Sequence, residues 1–139
     1  MNAMDSQPVS EIETKAKEIL RAVPGLRLAM LYGSAAAGKM RAGSDVDIAL
    51  LLDHPLSTQQ KMTMLSQLEC GLKRAVDIVD LYSLSGTILK QVLRKGRVLV
   101  QPKPGARAEL ILKMIYNQAD MMPYVSRTLI ERQRRFIHG

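Results

Sequence analysis

The sequence predicts an α/β (α+β) domain, a small mixed β-sheet flanked by helices. Three observations carry this prediction. Short apolar runs bounded by turn residues alternate with stretches whose apolar residues recur at helical spacing, their order mixes a few strands with covering helices, and 139 residues suit a single core. One domain is expected over residues 1–139, with its core at about 10–101 and a helical segment at about 105–137.

Ser10 and Glu13 have the spacing of a capping box, and Ile12, Ala16, Ile19, Leu20 and Val23 follow at helical intervals until Pro24-Gly25 interrupts them. Residues 26–32 are a short apolar run between Pro-Gly and Gly-Ser, the signature of a buried strand. The Gly- and Ala-rich stretch 33–44 is expected to start as a turn. Residues 45–52 form a second strand, with Val46 and Ile48 on one face and Asp45 and Asp47 on the other.

Ser57 and Gln60 resemble another capping box, opening a helix through Met62, Leu65 and Leu68 that Gly71 can end. A third strand is expected at 75–82, then a helix capped by Ser85, carrying Ile88, Leu89, Val92 and Leu93 and closed by Gly96. Residues 98–101 make a short last strand or sheet edge. After Pro102 and Pro104 the chain reads helical from 106 to 137, with Pro123 expected to kink or divide it.

Hydrophobic residues are 47% and charged residues 24% of the chain, which excludes extended disorder and suits a globular protein. The one cysteine, Cys70, leaves no internal disulfide and no thiolate cluster for zinc, and is expected as a buried or half-buried small hydrophobe. No apolar run reaches the roughly 18 residues that span a bilayer, and the N-terminus lacks a signal-peptide pattern, so a cytoplasmic location is expected. The formal charge of +7 allows an anionic ligand or partner without requiring nucleic acid. His54 and His138 have no paired ligands nearby in sequence and are expected to be solvated, as is the Arg127, Arg132, Arg134, Arg135 face.

Chemistry concentrates in Gly33-Ser34, ten residues, then Asp45-Val46-Asp47. Two Asp two positions apart on a strand share a side, as a divalent metal requires, and without a cation such a pair is in electrostatic conflict. Gly33 permits a close backbone approach, and Ser34 offers a hydroxyl and a nearby N–H to phosphate oxygens. Carboxylates facing a phosphate cradle suffice to position attack on the α-phosphate of a nucleoside triphosphate. A third acid would complete the site, and Asp77 and Asp80, three positions apart, cannot both lie on the same side of a regular strand.

These residues resemble the minimal nucleotidyltransferases (MNT) of the DNA polymerase beta superfamily. The likeness runs from Leu31-Tyr32-Gly33-Ser34 through Asp45-Val46-Asp47-Ile48-Ala49-Leu50, continues in Val76-Asp77-Ile78-Val79-Asp80-Leu81, and extends to residues 89–99. It implies a polymerase beta-like fold, catalytic and Mg²⁺-holding acids at Asp45, Asp47 and Asp77, nucleotide contacts at Gly33, Ser34 and Ser44, and ATP as substrate. Asp77, inside the apolar strand, is the better match to the third acid, while Asp80 near the strand end suits a solvated or helix-capping place. The sequence departs from the Gly-Ser-Arg-x-Arg-Gly run of many relatives, having Ala35-Ala36-Ala37-Gly38, so Lys39 or Arg41 would have to substitute.

Small members of this family resemble antitoxins encoded beside HEPN ribonucleases. The likeness therefore implies transfer of AMP from ATP to a tyrosine of a HEPN-type toxin, within a possible homo- or hetero-oligomer. Two alternatives stand beside it: a module that neutralises a toxin by contact alone, and an aminoglycoside-type enzyme acting on a small molecule, for whose acceptor domain 139 residues leave little room.

Overall fold

The computed structural model describes residues 9–38 and 44–120. Its sheet has four strands in the order β3-β2-β1-β4: β1 (Leu26–Tyr32), β2 (Val46–Leu52), β3 (Val76–Asp80) and β4 (Arg97–Val100). β1 is antiparallel to both β2 and β4, and β3 is parallel to β2, so the sheet is mixed, as expected. The helices are α1 (Val9–Arg21), α2 (Gly33–Ala36), α3 (Thr58–Leu72), α4 (Gly86–Lys95) and α5 (Ala106–Asp120).

The central strands are apolar on both faces because helices cover both. One face carries Ala29, Leu31, Val46, Ile48, Leu50 and Ile78 against Ile12, Ala16 and Leu20 of α1 and Met64, Leu68 and Leu72 of α3. The other carries Leu28, Met30, Ala49, Leu51 and Leu81 against Leu89, Val92 and Leu93 of α4 and Ala106 and Leu110 of α5. The apolar runs 28–31 in β1 and 48–52 in β2 follow from this double burial. No helix among the described residues is long and apolar enough to cross a membrane.

The Ser57/Gln60 capping box is formed in both directions, Gln60 N–H to Ser57 Oγ and Ser57 N–H to Gln60 Oε1, each at 3.1 Å. Several expectations need correction. Ser10 lies inside α1, where its carbonyl accepts from Thr14 Oγ1, and Glu13 instead pairs with Arg97 of β4 at 3.2 Å, so no Ser10 capping box forms. Gly71 does not end α3: the helix runs to Leu72 and turns at Lys73 in the left-handed region (φ 56°). Gly71 serves α1–α3 packing, since a Cβ there would lie 2.5 Å from Ile19 Cδ1.

Ser85 stands at the N-cap of α4 without a side-chain bond. Cys70 is exposed, on the side of α3 away from Met64, Leu68 and Leu72. Pro123, the arginine run and His138 lie outside the described residues.

Candidate active site

β1 ends at Tyr32 just where β2 begins, and their antiparallel pairing sets Tyr32 opposite Asp47. β3 runs parallel to β2 with Asp77 opposite Asp47. Paired residues share a face, so Tyr32, Asp47 and Asp77 form a row across three strands. The alternation Asp47, Ala49, Leu51 puts that row on the α4/α5 side, beyond the apolar residues those helices cover. Asp47 is half-buried, whereas Asp77 on the edge strand and Asp45 just before β2 are exposed.

The turn between β1 and β2 closes onto this row. Gly33 has φ +70°, which Gly adopts freely, and opens the single helical turn of α2, closed by Ala37 N–H to the Gly33 carbonyl at 3.2 Å. A Cβ at position 33 would overlap Oδ2 of Asp47. The glycine therefore backs directly onto a carboxylate that was ten residues and more away in sequence. Ser34 follows within α2, and Ser44 is half-buried with its carbonyl accepting from Arg74 Nη1 at 3.2 Å. Lys39 and Arg41 lie outside the described residues.

Electrostatics register the crowding. Partial burial first, then the charges of Asp77 and Asp45, push the Asp47 carboxyl above its ordinary range. The Tyr32 phenol is pushed up to about 12, first by burial and then by Asp47 and Asp77. Hard oxygen donors in mutual repulsion are what a Mg²⁺ ion would neutralise, and the glycine leaves room for close approach, so the donor set fits that ion in chemistry. Among the described residues, no three His, Cys, Asp or Glu side chains are gathered tightly enough to hold a metal as they stand, so the acids would have to draw in around it.

Asp80 goes elsewhere. It pairs with Leu50, whose side chain faces α1 and α3, so Asp80 is on the opposite face from Asp77. Its Oδ2 accepts from Leu56 N–H and its Oδ1 from Tyr82 N–H, both at 3.0 Å. Half-buried and not a helix cap, it fastens the β2–α3 connection. His54 is exposed and bonded to Asp53 and Gln60, at the far end of β2 beside an open cavity of about 640 Å³ whose lining includes Val23, Leu52, His54 and Met64. None of the three acids lines that cavity.

Two residues at the site escaped the sequence reading. Tyr32 was visible only as the residue before Gly33, and Arg74 only as a basic residue after Cys70 and Gly71; β1–β2 pairing brings Tyr32, and a bond to the Ser44 carbonyl brings Arg74, to the acids' end of the sheet.

Comparison with known proteins gives a consistent result. Residues 14–104 match the family described as Polymerase beta, Nucleotidyltransferase. A protein adenylyltransferase MntA from Shewanella oneidensis is 35% identical over 88 residues, 63% of this chain, and the chain spans only 63% of that relative's length. A second MntA, from Aphanizomenon flos-aquae, is 25% identical over 93% of this chain and 92% of its own. Among solved structures, a toxin–antitoxin crystal structure with AMP-PNP superposes with TM-score 0.71 at 28% identity, over 88% of this chain and 98% of the other. A structure of a tri-AMPylated Shewanella oneidensis HEPN toxin in complex with MNT antitoxin gives TM-score 0.67 at 26% identity, over 91% and 98%.

Proposed function

Since this chain belongs to the polymerase beta nucleotidyltransferase family, we propose that it is an adenylyltransferase antitoxin that moves AMP from ATP to a tyrosine hydroxyl of a HEPN ribonuclease toxin. The observation that carries this reading is the pairing of Asp47 with Asp77 directly beside a glycine that abuts Asp47. The similarity to MntA proteins and to toxin–antitoxin complexes supports the choice of acceptor.

In this reading Gly33, Ser34 and Ser44 would receive the triphosphate, and Asp45, Asp47 and Asp77 would hold Mg²⁺. The bound ion would neutralise charge developing on the phosphates. The acceptor tyrosine oxygen forms a bond to the α-phosphorus while the bond from that phosphorus to the bridging oxygen of pyrophosphate breaks, and a site carboxylate takes the hydroxyl proton. Holding the acceptor in line is left to the docked partner, because binding and positioning supply most of the catalysis in such transfers. The reaction belongs in the cytoplasm, where ATP and a ribonuclease toxin meet.

Incubating the protein with its genomic neighbour, Mg²⁺ and α-labelled ATP tests this: label should appear on a neighbour tyrosine and vanish with D45N/D47N. A folded pair that acquires no label would overturn it. The Ala35-Ala36-Ala37 run favours a second reading, neutralisation by contact, under which D45N/D47N still silences the toxin.

A further inference from the structure

Asp45 is the least supported of the three acids. β2 begins at Val46, the last β1 partner is Tyr32 at Asp47, and the last β3 partner is Val76 at Val46, so Asp45 lies outside both ladders. Its approach to Asp47 depends on whatever fixes the peptide before it. Two bonds do so from the entry to β3. Val46 N–H donates to the Ala75 carbonyl at 2.9 Å, and Nη1 of Arg74 donates to the Ser44 carbonyl at 3.2 Å, a part-buried bond between residues thirty positions apart. The left-handed turn at Lys73 delivers Arg74 to this place.

Taking the acids to be the cation site proposed above, we propose that Arg74 is a positioning residue that braces the Ser44–Asp45 peptide so that the Asp45 carboxylate is presented beside Asp47. The bond reaches the carbonyl of the peptide group whose N–H belongs to Asp45, so losing it frees rotation immediately before the acid. A guanidinium suits this role because it stays charged at every working pH and its planar donors hold a carbonyl in a defined direction.

The test is Mn²⁺ binding to the full chain without nucleotide, by calorimetry, in R74A, R74K, D45N, R74A/D45N and D47N, with metal-free melting measured alongside. Supporting groups around metal ligands are worth about ten- to a hundredfold in affinity, so R74A should weaken Mn²⁺ about tenfold, with R74K between it and wild type. Because Arg74 acts through Asp45, R74A/D45N should bind no more weakly than D45N. Wild-type affinity in R74A, or losses that add in the double variant, would overturn the brace; so would a lowered melting temperature with unchanged affinity. If R74A does not fold, R74K and R74K/D45N carry the same comparison. Unchanged Mn²⁺ binding in D47N would overturn the cation reading itself, and the brace with it.

Discussion

Gly33 offers the sharpest perturbation, because two separable penalties meet there. Its φ of +70° is one that L residues reach at a cost of about 1–2 kcal/mol, and a Cβ would overlap Oδ2 of Asp47. Gly38 provides the control: its φ is +73°, yet a Cβ there meets nothing within 4 Å. G38A should therefore pay only the backbone term, which for a chain of this size lowers the melting temperature by about 3–8 °C. G33A incurs the same term and must also move either the turn or the Asp47 carboxylate. Displacing a reacting group by about 1 Å can cost on the order of a hundredfold in rate, so G33A should lose AMP transfer on that scale while G38A keeps most of it. Melting curves and labelled-AMP transfer with both variants decide the matter. Equal transfer by G33A and G38A would refute the placement of Asp47 against the turn, and with it the pocket.

Three further outcomes are expected. Without metal, folded Asp47 holds its proton to higher pH than the unfolded chain does, so its contribution to stability is present at low pH and falls away as pH rises from the ordinary carboxylate range through the raised value. D47N should therefore melt above wild type at neutral pH, the difference closing in acid, and Mg²⁺ should stabilise wild type but not D47N. Phenolate absorbance should show one of the four tyrosines ionising near 12, assigned by its loss in Y32F and moving down in D47N or D77N. S57A removes a formed capping box and should cost about 1 kcal/mol in melting with AMP transfer unchanged, since α3 begins at the end of β2 away from the acids.

Much of the fold was legible because burial on both faces writes strands as near-continuous apolar runs, and residues 28–31 and 48–52 are such runs. Where reading failed, the local pattern was degenerate. In α3, Met62, Met64, Leu65, Leu68 and Leu72 surround much of the helix, so the i, i+3 choice of Met62, Leu65 and Leu68 looked as good as the i, i+4 row of Met64, Leu68 and Leu72 that the core uses. Met62 is 65% exposed, and Cys70 follows it to the outside. Gly71 carried a stop signal in sequence, but its role is fixed by Ile19 of another helix, a contact no local window contains.

The site divides along the same line. Spacing alone placed Asp45 and Asp47 on one side and showed that Asp77 and Asp80 could not share one, because strand parity is a local property. Choosing between those two needs the register of β3 on β2, which pairs Asp77 with Asp47 and Asp80 with Leu50. Register is set by which apolar residues pack against α1 and α3: sliding β3 by one position would bury Asp77 and Asp80 in the reverse sense and turn Val76 and Ile78 out of the core. The hydrophobic layer therefore decides which carboxylate joins the row of Asp47. The β1–β2 pairing sets Tyr32 beside Asp47 and the entry to β3 sets Arg74 against the Ser44 carbonyl, so these two contacts belong to the fold before they belong to any motif.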